Sequence, residues 1–206
     1  MLENFKYTIC EKFDHLALED KLLIGKAISF SVQPLILLKK EPQLVDIYNE
    51  YLNKIPVEEC DGEKVYKEYT TKVKEYFEYE EYDELSYSSY NDKEFCDYLS
   101  FMAVQILANT LRTYKASFIE IAVNYLVEVS IVLDDYFYYL NKDNCTLEGL
   151  DNILKHISVR VMQDACEQLL INSIRICEES GDKKVERLLA EEKKFKHNIK
   201  KVLEKQ

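Results

Sequence analysis

Glycine and proline are scarce, with four and three in 206 residues, and tryptophan is missing altogether. A β-sandwich or an α/β fold turns tightly many times and spends more of both residues, so the shortage points to helices joined by short connections. The six cysteines, at 10, 60, 96, 145, 166 and 177, include no CxxC pair, which removes zinc sites of the usual spacing and any regular disulfide framework. No apolar run approaches the ~18 residues of a membrane-crossing helix. The opening "MLENFKYTICEKFDHLALEDK" is amphipathic and charged, without the apolar stretch of a signal peptide. These absences lead us to expect a cytoplasmic location with reduced cysteines acting as small buried apolar groups. Positive charge is also short: 27 basic against 38 acidic residues leave a net charge of -11. That balance argues against nucleic acid or an anionic membrane as partner and is compatible with a basic protein partner.

What is present is enough for a core. Apolar residues make up 47% of the chain and aromatics 12%, beyond what a disordered chain carries. We expect residues 1–206 to form a single all-α domain, a bundle of about seven to eight helices. Phe5, Ile9, Cys10 and Phe13 share one face of a first helix over Leu2–Asp14. A second runs from Glu19 to Leu38, with Pro34 kinking it or ending its regular part. Pro42 fits the first position of a third helix, in which Leu44, Ile47, Tyr48, Tyr51, Leu52 and Ile55 face inward. "PVEECDG" reads as a loop, after which Tyr66, Tyr69, Val73 and Tyr76 form a core-facing stripe. "NDKE" at 91–94 has the form of a helix start, and the "LSFMAVQILANTL" that follows is apolar on nearly every side, as for a helix at the centre of a bundle.

The stretch "IEIAVNYLVEVSIVL", 119–133, alternates like a strand. It is long for one, has no hairpin partner nearby, and as a helix gathers Glu120, Asn124 and Glu128 into one stripe behind a Ser117 cap, so helix is the better reading. From Thr146 a long helix is expected to run to about Ser180, followed by a final helix in which Val185, Leu188, Phe195, Ile199 and Val202 keep a near-heptad spacing that Glu192 interrupts.

Reaction motifs are not found. No histidine (His15, His156 or His197) follows a glutamate by three residues, and there is no HExxH, phosphate-binding glycine loop or nucleophile elbow. "LDDYFYYL", with Asp134 and Asp135, resembles an Asp-rich metal motif, but adjacent aspartates on a helix diverge by about 100° and chelate poorly. We read that stretch as a solvated helix end and expect no enzyme, no metal and no cofactor.

Charge is unevenly placed. Residues 58–98 carry 14 acidic and 5 basic side chains, whereas 183–206 carry 4 acidic and 9 basic. At the centre of the acidic part lies "EYFEYEEYDELSYSSY", 75–90, with five tyrosines, six carboxylates and no positive charge. If Tyr69, Val73 and Tyr76 face the core of a persisting helix, Tyr79 falls about 60° and Tyr82 about 120° off that line, so Tyr82 stands in solvent. Tyrosine gives large contact area at low entropic cost, and carboxylates around it steer a basic partner. Glu78, Tyr79, Glu80, Glu81, Tyr82, Asp83 and Glu84 are the candidate partner-binding residues, the plain alternative being an acidic linker. The basic helix 183–206 has two readings, a bundle helix with a solvated lysine face or an arm that pairs with a second copy in a homodimer.

"MLENF", "LEDKLLIGKAISFSVQPLILL" and "LVDIYNEYL" together resemble the opening of the YjaG-like helical bacterial proteins, which are similar in length, and related to them are all-helical immunity proteins of bacterial polymorphic toxin systems. The apolar helix near 95–111, the helix after "TYKAS" and the two long C-terminal helices fall in similar places. That resemblance implies a stoichiometric binding protein that masks a cognate, basic toxin, with the acidic tyrosine segment occluding a phosphate-binding cleft. A self-associating scaffold and a metal-dependent bundle enzyme are the rival readings.

Overall fold

The first two helices already show how the fold is built. α1 (Leu2–Asp14) buries Ile9 and Phe13, and α2 (Leu18–Ile36) is buried along most of its length, so the chain puts its second helix in the middle of the molecule. The computed structural model describes residues 2–55, 62–77, 92–113, 118–141, 160–179 and 183–204. These form eight α-helices: after α1 and α2 come α3 (Pro42–Leu52), α4 (Gly62–Val73), α5 (Asp92–Leu111), α6 (Phe118–Asn141), α7 (Val161–Glu178) and α8 (Lys184–Leu203). The protein is an all-α bundle, and no strand occurs among the described residues. The alternating stretch 119–133 is helical throughout, within α6.

α2 and α5 are the central pair. α5 packs against α2, α4 and α6, while α2 also meets α3, α6 and α8. Their close approach depends on Gly25, where an added Cβ would stand 2.6 Å from Thr110 Cγ2 and 3.2 Å from Ile119 Cδ1. A side chain there would force the two helices apart, because interiors packed at crystal density have no slack for it. Polar groups at this crossing are satisfied within it. Ser29 Oγ donates to the Gly25 carbonyl at 2.8 Å, Tyr48 OH donates to the Ser29 carbonyl at 2.7 Å, and Ser100 Oγ on α5 donates to the Leu35 carbonyl at 2.7 Å.

Pro34 lies inside α2 rather than ending it, and the chain tightens into a 3₁₀ turn at Leu37–Lys39 before Lys40 closes the helix in the left-handed region. Leu18–Lys39 also corrects the expectation about membrane spans: by length and composition it is apolar enough to cross one, although two thirds of the window is buried inside the bundle. Burial against α5 and α8 accounts for that apolarity. Pro42 occupies the start of α3, whose Leu44, Tyr48, Tyr51, Leu52 and following Ile55 are all buried.

α8 is a member of the bundle. Its stripe of Leu188, Glu192, Phe195, Ile199 and Val202 is buried against α2 and α7, and Lys184 Nζ holds Asp20 at the start of α2 at 3.0 Å. Apart from Val185, which is exposed rather than buried as its spacing suggested, the apolar seam of the basic helix is therefore spent inside the chain. Glu192 sits in that seam with Oε2 buried and without a hydrogen bond among the described residues, and burial raises its pKa.

Candidate functional site

α4 carries its stripe inward as expected, with Tyr69 and Val73 buried and Tyr66 half-buried. The helix then stops. Lys74–Tyr76 form a 3₁₀ turn and Phe77 is extended, at φ -135 and ψ 129. The helical phase that set Tyr79 and Tyr82 off the core line therefore does not carry past Tyr76. Phe77, where the chain leaves the helix, is buried: its ring meets Phe101 of α5 edge-on at 5.6 Å between centroids and lies under Lys39 Nζ at 5.2 Å.

Glu78, Tyr79, Glu80, Glu81, Tyr82, Asp83 and Glu84 all lie outside the described residues. What the structure gives is the frame on either side of them. Before them stands Phe77. After them comes α5, whose first core side chain, Phe95, is buried and stacks on Tyr136 of α6 at 4.1 Å. Phe101, the neighbour of Phe77, lies fewer than two turns beyond Phe95 on the same helix. The chain before and after the acidic segment thus packs at the same end of α5. Two polar contacts brace that end: Lys39 pairs with Asp97 at 2.9 Å with both side chains mostly covered, and Tyr76 OH donates to Gln43 Oε1 at 3.1 Å.

Asp134 corrects the reading of a solvated helix end. It is 2% exposed, and its two carboxylate oxygens accept the backbone N–H groups of Met162 at 2.8 Å and Gln163 at 3.0 Å. The expected helix from Thr146 to Ser180 is likewise not continuous. Arg160 has φ -127 and ψ 20, outside the helical region, and α7 begins at Val161. Arginine is no N-cap residue, so the first turn of α7 takes its cap from α6, 28 residues upstream of Met162. Burial raises the Asp134 pKa to about 6, against the pull of the two N–H donors. Asp135 is only half-buried, and its pKa is raised by the same cause.

Burial pushes the Cys166 and Cys177 thiols up to about 12, which makes them poor nucleophiles. Cys10 and Cys96 are half-covered, and Cys60 and Cys145 lie outside the described residues. His15 and His197 are exposed, and His156 lies outside the described residues. Among the described residues no three His, Cys, Asp or Glu side chains cluster closely enough to hold a metal ion. Two features were invisible from spacing alone: the long-range Asp134 cap and the environment of Arg112, whose guanidinium carbon lies 4.0 Å from the Phe118 ring centroid and 4.9 Å from that of Tyr66.

No family model, curated protein or solved structure matches this chain.

Proposed function

We propose that this chain is a non-enzymatic binding protein whose acidic, tyrosine-rich segment masks a basic surface on another protein, as an immunity protein does for a cognate bacterial toxin. The observation that carries the proposal is the charge of that segment. Between two buried aromatic anchors, Phe77 and Phe95, residues 78–90 hold five carboxylates and four tyrosines without one basic residue to neutralise them. Anchoring both ends limits the entropy such a segment loses on binding. Tyr79 and Tyr82 act as contact anchors, while Glu78, Glu80, Glu81, Asp83 and Glu84 supply attraction at a distance. The partner is a basic protein such as a nuclease, whose phosphate-binding cleft the carboxylates fill.

Replacing the five carboxylates Glu78, Glu80, Glu81, Asp83 and Glu84 by serine is expected to slow association with the basic partner about ten- to a hundredfold at low salt and to flatten its salt dependence. Stopped-flow or biosensor rates at several ionic strengths read this directly. An unchanged rate and slope removes the proposal.

Self-association is the second reading, and a specific surface favours it. Val185 and Leu189, one turn apart on α8, are 54% and 41% exposed, and Ile171 of the adjoining α7 is 40% exposed. If copies pair there, V185E with L189E converts a dimer to a monomer in sedimentation. A wild-type protein that already sediments as a monomer at high concentration excludes that reading.

A further inference from the structure

The chain has four arginines, and three of them meet carboxylates: Arg160 faces Glu167 at 3.6 Å, Arg175 faces Glu179 at 3.8 Å and Arg187 holds Glu179 at 2.6 Å. Arg112 meets none among the described residues. In a protein where acidic residues outnumber basic ones by 38 to 27, that makes it the exception. Its side chain is half-buried at the C-terminal end of α5, and Nε is buried with no hydrogen-bond partner among the described residues.

The guanidinium is nonetheless held in place. Its central carbon stands 4.0 Å from the Phe118 ring centroid, at the first residue of α6, and 4.9 Å from the Tyr66 ring centroid on α4. Rings of this kind orient a guanidinium plane while leaving its N–H edge unspent, since cation–π attraction uses the face of the ring and no hydrogen bond. Capping α5 does not account for the group either. The Asn109 carbonyl takes the Thr113 hydroxyl at 2.9 Å, and the Ala108 carbonyl takes the Arg112 backbone N–H at 3.1 Å. A buried N–H with no acceptor is destabilising, and an oxyanion that enters the plane of the fork as the half-buried side chain shifts to open Nε would offset that through charge-assisted bonds.

We propose that Arg112, clamped by Phe118 and Tyr66, is an oxyanion-binding site that takes a carboxylate or phosphate group edge-on. It does not depend on the masking role. A carboxylate ligand would come from a protein side chain or C-terminus, and a phosphate from a phosphorylated small molecule.

The test is ¹⁵N NMR of the arginine Nε–H signals, with R112K identifying the Arg112 resonance by its loss. The intact protein is titrated with sodium acetate, inorganic phosphate and, as ionic-strength control, sodium chloride. The Arg112 signal is expected to shift saturably with acetate or phosphate, the tighter of the two naming the ligand source, while the other three arginines move only as they do in chloride. F118L, which keeps an apolar contact but removes the ring, is expected to weaken half-saturation about tenfold. If the wild-type Arg112 signal moves no more with acetate or phosphate than with chloride, the site is overturned. Half-saturation in F118L equal to wild type overturns the clamp. Should R112K fail to fold, R160K, R175K and R187K assign the other three signals and leave Arg112 by elimination, so the wild-type titration still decides the proposal.

Discussion

Phe195→Ala is expected to remove ~3–5 kcal/mol from the unfolding free energy, the range for truncating a fully buried aromatic. Phe195 is 1% exposed and lies midway along the seam of α8, between Leu188 and Val202, where α8 meets α2 and α7. That seam is most of what holds the helix. Its outer faces are charged apart from Val185 and Leu189, and an isolated helix of this length is marginal in water. A typical domain has ~5–15 kcal/mol in total, so the variant gives up a large part of its stability. Lys194→Ala is the control: Lys194 is exposed and paired with Glu191 three residues away, and its loss should stay within ~0.5 kcal/mol. Urea unfolding followed by circular dichroism separates the two. If Phe195→Ala were as stable as Lys194→Ala, α8 would not be docked through this seam, and the homodimer arm would regain its place.

Asp134 should make stability depend on pH in a direction opposite to that of most carboxylates. Burial holds its folded pKa at about 6, above the ordinary 3.8, while the Met162 and Gln163 donors pull it down and the Asp164 charge adds to the rise. The folded protein therefore binds this proton more tightly than the unfolded chain does. The stabilisation is complete below the unfolded pKa and is lost as pH rises through the folded one. A rise from 3.8 to about 6 corresponds to about 3 kcal/mol at most. Asp134→Asn removes the titration, so the drop in stability between about pH 4 and pH 7 should be smaller in the variant than in wild type by up to that amount. Glu120, Asp135 and Glu192 are also raised by burial but remain in both proteins, so the comparison isolates Asp134. Asparagine offers one acceptor oxygen where two N–H groups point, which lowers the variant's stability at every pH without changing the slope. Parallel pH profiles for the two proteins would mean that Asp134 titrates alike folded and unfolded.

The parts of this fold that were legible in advance are those set by short-range pattern. The 3–4 spacing of Leu44, Tyr48, Tyr51 and Leu52 names the buried face of α3, and the all-round apolarity of α5 names its central position. Both follow from the period of a helix, which a single sequence displays. The end of α4 was not legible, because no glycine or proline stops it. The chain leaves the helix at Phe77, which packs against Phe101 and Lys39, residues distant in sequence. The start of α7 was hidden for the same reason: its cap is on α6. Cap rules read neighbours, whereas Asp134 acts through the packing of two helices. Of the candidate site, charge and tyrosine content were visible in the sequence, while the aromatic anchors that bracket it emerge only from tertiary contacts.

The most direct test of the masking role is a side-by-side capture experiment. Tagged wild type and the variant with serine at 78, 80, 81, 83 and 84 are incubated with lysate of the source cells at low and high salt, and retained proteins are identified. The expected result is one basic protein held by wild type at low salt, released at high salt, and missing from the variant. The same protein retained equally by both baits, or no protein retained by wild type at low salt, would contradict it.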